Sequence, residues 1–187
     1  MRDTIIQLAE QQLMSGGYGK LNFATIAKEL NTTRANLHYH FKNKESLAIE
    51  VTTQYGARNI AEFSYLKDTF KGNFFGFIGA MDNSFWPGSG FDDPKACIML
   101  ATDPDLPAPL VKLTQELYQK VGGMIAEIIR EAINNGEIRK EIDANREAIR
   151  CHALMMGIMT SSQHYPSVEL AKTQLRGLMM EWANSLK

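Results

Sequence analysis

Apolar positions recur at helical spacing along almost the whole chain. Ile5, Ile6, Ala9 and Leu13 share one face of a segment from Asp3 to Met14. Two short amphipathic segments follow, Ala24 to Leu30 and Arg34 to His40, with Thr33 placed to cap the second. Asn43 caps a long segment from Lys44 to Leu66 that turns Leu47, Val51, Tyr55 and Ile60 inward. A phenylalanine-rich helix is expected near Lys71 to Asn83, loosened by Gly72, Gly76 and Gly79. Trp86 to Pro94 reads as a loop by its Pro and Gly content, and Lys95 to Thr102 as a short helix. Beyond Pro104, Pro107 and Pro109 a seventh helix runs to Asn135 and stops at Asn134-Asn135-Gly136. Asp143 caps an eighth, Ala144 to Gln163. After the turn at His164 to Ser167 a ninth continues to Leu186. The period-two alternation of a strand is absent. The expected fold is all-α, with about nine helices. A three-helix N-terminal domain (1–47) precedes a larger helical domain (48–187), and the boundary falls inside the long fourth helix.

The segment from Asn22 to Leu47 carries the most specific pattern. Ala27 is small and lets two helices approach. Asn31, four residues on, tolerates the positive φ of a sharp turn. Leu37, six further, plugs the second helix onto the first. This is helix-turn-helix spacing, which sets the second helix in a DNA major groove. Arg34 and Asn36, with Ala35 between them, lie at the N-terminal end of that helix. Arg pairs bidentately with guanine and Asn with adenine, so these are the candidate base readers. Thr33, Tyr39, His40 and Lys44 suit phosphates. His38 either contacts DNA or packs against the first helix.

The same residues resemble the tetracycline-repressor (TetR) family of bacterial regulators. Ile26-Ala27 and Leu30 match its first motif helix. Leu37-His38-Tyr39-His40-Phe41 matches its Leu-Tyr-x-His-Phe stretch, and Lys44-Glu45-Ser46-Leu47 its Lys-x-x-Leu opening of the fourth helix. There are departures: Asn31 replaces the usual turn Gly, Thr32 the usual apolar residue, and His38 the usual Tyr. Phe23 stands where a capping Ser or Thr is common. The resemblance implies a homodimer on a palindromic double-stranded DNA operator, and release by a small-molecule effector bound in the C-terminal domain.

Charge is consistent with that division. The chain carries a net −1. Residues 1–58 nevertheless hold seven Lys/Arg against five Asp/Glu, and the basic ones gather between Arg34 and Lys44 beside two histidines. No apolar run is long enough for a membrane span, so a cytoplasmic protein is expected. Cys97 and Cys151 show no pairing pattern. The four histidines show no metal-ligand spacing, and neither a phosphate-binding Gly-rich loop nor a nucleophile elbow occurs. No metal, cofactor or catalysis is expected.

An apolar effector cavity is expected where aromatic residues are dense, with Phe63, Phe74 and Trp86 as lining residues. Tyr118, His152 and Gln163 could add polar contacts there. Cys97 is expected beside the cavity, either as a small buried residue or as a thiol sensor at a helix start. Apolar stripes on the last two helices could simply pack on their own core; the resemblance implies instead that they meet a second copy across a two-fold axis, with Met155, Met159, Leu175, Leu178 and Trp182 at the interface. The competing reading is a helical small-molecule carrier or enzyme with a vestigial DNA-binding domain. It is separated by whether any palindrome is selected from random DNA.

Overall fold

The computed structural model describes residues 1–86 and 103–187, and every regular element among them is an α-helix. Local capping chemistry sets most of the boundaries. α1 (Arg2–Lys20) runs past the expected end at Met14 by re-forming after a break, where Gly17 takes φ 70°. α2 (Phe23–Glu29) is capped by Asn22, whose side chain accepts from the Ala24 N–H at 2.8 Å. Phe23 is therefore the first helical residue rather than a failed cap. α3 (Arg34–His40) has its expected bounds, with Thr33 Oγ1 accepting from the Asn36 N–H at 3.2 Å.

α4 (Lys44–Thr69) opens on a reciprocal cap: the Ser46 N–H donates to Asn43 Oδ1, and the Asn43 N–H to Ser46 Oγ. It extends three residues beyond Leu66, and Ile60 is only half-buried. α5 (Phe74–Ser84) starts at the Asn73 cap rather than at Lys71. α6 (Ala108–Asn134) ends where Gly136 turns left-handed at φ 73°, and α7 (Ala144–Ser162) begins at the expected Asp143 cap. The expected helix Lys95–Thr102 lies outside the described residues, as does the loop before it beyond Trp86.

The expected ninth helix is corrected to two: α8 (Val168–Leu175) and α9 (Leu178–Asn184). Gly177 breaks it with φ 96°. Its N–H donates to buried Asp82 Oδ2 at 3.1 Å, and Arg176 donates to Asn83 Oδ1 at 2.8 Å. A glycine can leave the helix without the Cβ clash that holds other residues in it, and two acceptors on α5 stabilise the departure.

The described residues form two compact units. The first joins Met1–Arg58 to residues 103–117, and the second joins residues 59–86 to Tyr118–Lys187. The first core packs Ile5, Ile26, Leu37 and Leu47 together with Leu110, which comes from α6. Asp103 also belongs here: its carboxylate accepts the Tyr18 N–H beside Gly17, and accepts the Asp105 N–H at 2.9 Å. The second core is built on Phe77, Met81, Ile129 and Met179. No described helix is long and apolar enough to cross a membrane.

Candidate functional site

The turn between α2 and α3 is fixed by two backbone bonds. The Thr32 N–H donates to the Ala27 carbonyl at 2.9 Å, and the Asn31 N–H to that of Lys28 at 3.1 Å. With Asn31 at φ 48°, this is the Schellman arrangement, in which a left-handed residue lets the chain reverse and satisfies the last carbonyls. Leu37 then enters the core with no exposed surface, beside Ala27. These contacts lock α3 by its apolar face and leave its other face to solvent.

On that face Thr33, Arg34, Ala35 and Tyr39 are exposed, and Tyr39 is the most open of the described large apolar side chains at 86%. His40 is half-buried and meets the Tyr39 ring edge-on at 5.3 Å. Asn36 is half-buried too, and its Nδ2 donates to Thr32 Oγ1 at 3.0 Å. His38 packs on Phe23 of α2, ring centroids 4.9 Å apart. Its Nδ1 lies 3.2 Å from the Lys42 carbonyl and so carries the proton there. Lys44 is half-buried. Its ammonium sits 4.2 Å above the Tyr18 ring and 3.5 Å from the Gly19 carbonyl.

In the second unit the expected ligand residues separate into groups. Phe63 packs edge-on against Phe77 at 5.3 Å, and Phe74 against Trp182 at 6.2 Å. Trp86 is buried, and its indole N–H meets no acceptor among the described residues. Tyr118 lies flat on His152, centroids 3.9 Å apart and planes 13° from parallel. His152 is buried with Nδ1 unpartnered among the described residues, and burial pulls its pKa down to about 4. Gln163 is exposed at the C-cap of α7, and Cys97 lies outside the described residues. Cys151 is buried, and burial together with the nearby Glu147 carboxylate raises its thiol pKa well above the usual range.

A shallow cleft of about 240 Å³, counted out to open solvent, adjoins Phe74. Lys67, Lys71, Glu131 and Glu137 line it, and the apolar pattern gave no sign of these. Among the described residues no three His, Cys, Asp or Glu side chains gather closely enough to hold a metal ion.

Of the residues expected at a two-fold interface, Met155, Met159 and Leu175 are buried within the protomer and offer little surface to a second copy. Trp182 is half-buried, and its indole N–H donates to Glu147 Oε2 at 3.0 Å; Leu178 is also half-buried. Much of the apolar stripe read from the sequence is turned toward the protomer's own core. What α7 leaves open is a different face: Ile149, Ala153 and Gly157, four residues apart, with Ile149 67% exposed. Val168 and Leu170 on α8 are exposed as well.

Comparison with known proteins places the sequence. Residues 5–51 match the family described as bacterial regulatory proteins, tetR family, and residues 92–186 match the tetracyclin repressor-like C-terminal domain. A stretch of 51 residues is 33% identical to the HTH-type transcriptional regulator QacR of Staphylococcus aureus (strain Mu50 / ATCC 700699). That stretch spans 27% of this chain and 27% of that curated relative. The fold matches a TetR-family transcriptional regulator from Agrobacterium tumefaciens with TM-score 0.83 at 20% identity, over 96% of each chain. It also matches a protein from Saccharomonospora viridis solved in complex with choline, with TM-score 0.80 at 22% identity, over 96% of this chain and 95% of that one.

Proposed function

The chain belongs to the TetR family of bacterial regulatory proteins, and from that premise we propose a ligand-released repressor that grips a palindromic operator as a homodimer. DNA-binding transcriptional regulation is the family's role. The specific observation that carries the reading is the exposed face of α3. It presents Arg34, Ala35 and Tyr39 outward, while Leu37 anchors the helix from behind.

Arg34 offers a planar fork of donors that matches the two acceptors on the guanine major-groove edge. Arg34→Ala is expected to weaken specific binding by about 1–3 kcal/mol and to relax preference at one base pair per half-site. Selection from random duplex DNA reads both effects. An unaltered base preference would remove Arg34 from the reading role. Selection with the wild type also tests the larger proposal, since a dimer should enrich an inverted repeat.

The face of α7 bearing Ile149, Ala153 and Gly157 suits the second copy. Small residues at spacing four let two helices approach closely, and the exposed Ile149 gains most by being covered. Ile149→Glu is expected to shift the molar mass in light scattering toward the monomer and to lower operator affinity with it. A dimer of undiminished stability would place the interface elsewhere.

The effector site is proposed in the second unit, which carries Phe63, Phe74, Trp86, Tyr118 and His152 in separate groups, and an effector that is largely apolar suits those side chains. The neighbour bound to choline supports a small-molecule role by likeness of fold. α4 contributes residues to both units, so a ligand that favours one placement of α4 would change DNA affinity. Cytoplasmic residence goes with this role.

A further inference from the structure

Thr32 is a polar residue at a turn position where an apolar one ordinarily packs back on the preceding helix. Its hydroxyl is used differently here: Oγ1 accepts from Asn36 Nδ2 at 3.0 Å. The next residue, Thr33, accepts from the backbone N–H of the same Asn36 at 3.2 Å. Two consecutive threonines therefore hold one asparagine, one by its side chain and the other by its main chain. Thr32 is itself immobilised, because its N–H closes the Schellman turn on Ala27 and Asn31 is fixed left-handed before it.

A carboxamide has two N–H donors and one carbonyl acceptor. Thr32 takes one donor. One donor and the acceptor remain, and these are the pair that adenine requires at N7 and N6 in the major groove. An unrestrained Asn would have to give up its side-chain rotation on binding, whereas this one is already oriented. We propose that Thr32 is a positioning residue for sequence specificity: it holds the Asn36 carboxamide in the orientation that reads adenine. The inference rests on the operator-binding reading above, and it adds a residue that does not itself touch a base.

The test is selection from random duplex DNA with wild type, Thr32→Val, Thr32→Ser, Asn36→Ala and the double variant Thr32→Val/Asn36→Ala. Valine keeps the shape and restores the apolar turn residue, and serine keeps the hydroxyl. Wild type should enrich adenine at one position in each half-site, and Asn36→Ala should lose that preference alone. Thr32→Val should reduce the preference at that position by about 2–12-fold, the worth of one hydrogen bond, while other positions keep theirs. Thr32→Ser should retain it. The double variant should match Asn36→Ala, because Thr32 acts only through Asn36.

Three results would overturn the inference: an unchanged adenine preference in Thr32→Val, a uniform loss at all positions, or further loss in the double variant. If wild type enriches no site, the operator-binding reading falls, and the inference falls with it. If wild type enriches a site that Asn36→Ala leaves untouched, only the inference falls.

Discussion

Lowering the pH from 7 to 4 is expected to remove about 3 kcal/mol of stability through His152 alone. The folded imidazole titrates at about 4 against 6.5 for the free side chain, because burial disfavours the charged form. Between those values the unfolded chain takes up a proton that the folded chain refuses, so stability rises with pH across the window. The contribution is fully present above pH 6.5, fades as pH falls to about 4, and changes little below that. Asp82 works in the opposite sense. Burial raises its pKa, so acidification relieves a buried charge. The His152 share is isolated with His152→Phe, which keeps a flat ring against Tyr118 and removes the titrating nitrogen. Urea unfolding at several pH values should give a shallower acid slope for the variant. At pH 4 the variant should gain about 3 kcal/mol on wild type relative to their difference at pH 7. Parallel slopes would show that the imidazole is hydrated in the folded state.

The other large effect is expected at Leu37. The side chain has no exposed surface and sits in the core that fixes α3. Leu37→Ala removes methyl groups from a packed interior and should cost about 2–5 kcal/mol. The same change should weaken DNA binding to every sequence, since the reading helix loses its anchor. Arg34→Ala is the contrast. It alters an exposed residue, should stay within about 0.5 kcal/mol in stability, and should act on one base pair. Denaturant unfolding and operator titration separate the two. A Leu37→Ala protein with wild-type stability would mean that α3 is held by other contacts.

The legible parts of the fold are those set by neighbours in sequence. α3 could be bounded to the residue because Asn31, Thr33 and Leu37 each carry a local instruction: a left-handed turn, a cap and a plug. The break at Gly177 could not. A glycine in an amphipathic run is tolerated in a helix, and what expels it is Asp82, 95 positions earlier. Which apolar face of α7 stays open was illegible for a related reason. α7 has apolar residues on more than one face, and periodicity does not say which face its own protomer covers. Met155 went inside and Ile149 stayed out. Asn36 was legible as a candidate base reader by type. Its hydrogen bond to Thr32 was not, because that depends on the rotamer the turn imposes. The charged cleft beside Phe74 joins α4, α5 and α6 with Glu137, and no local pattern connects them.

The first unit is discontinuous along the chain, and that bears on its synthesis. α1 to the middle of α4 end at Arg58, but their core includes Leu110, and the kink of α1 is closed by Asp103. A ribosome adding about 5–20 residues per second needs about 3–12 s to go from Arg58 to Leu117. Through that interval the reading helices are present without the strap that completes their core. The nascent DNA-binding segment must therefore wait, partly unpacked, for a contact 85 residues downstream. A DNA-binding regulator that matures only once the middle of its chain has been made has little opportunity to grip DNA while still being translated.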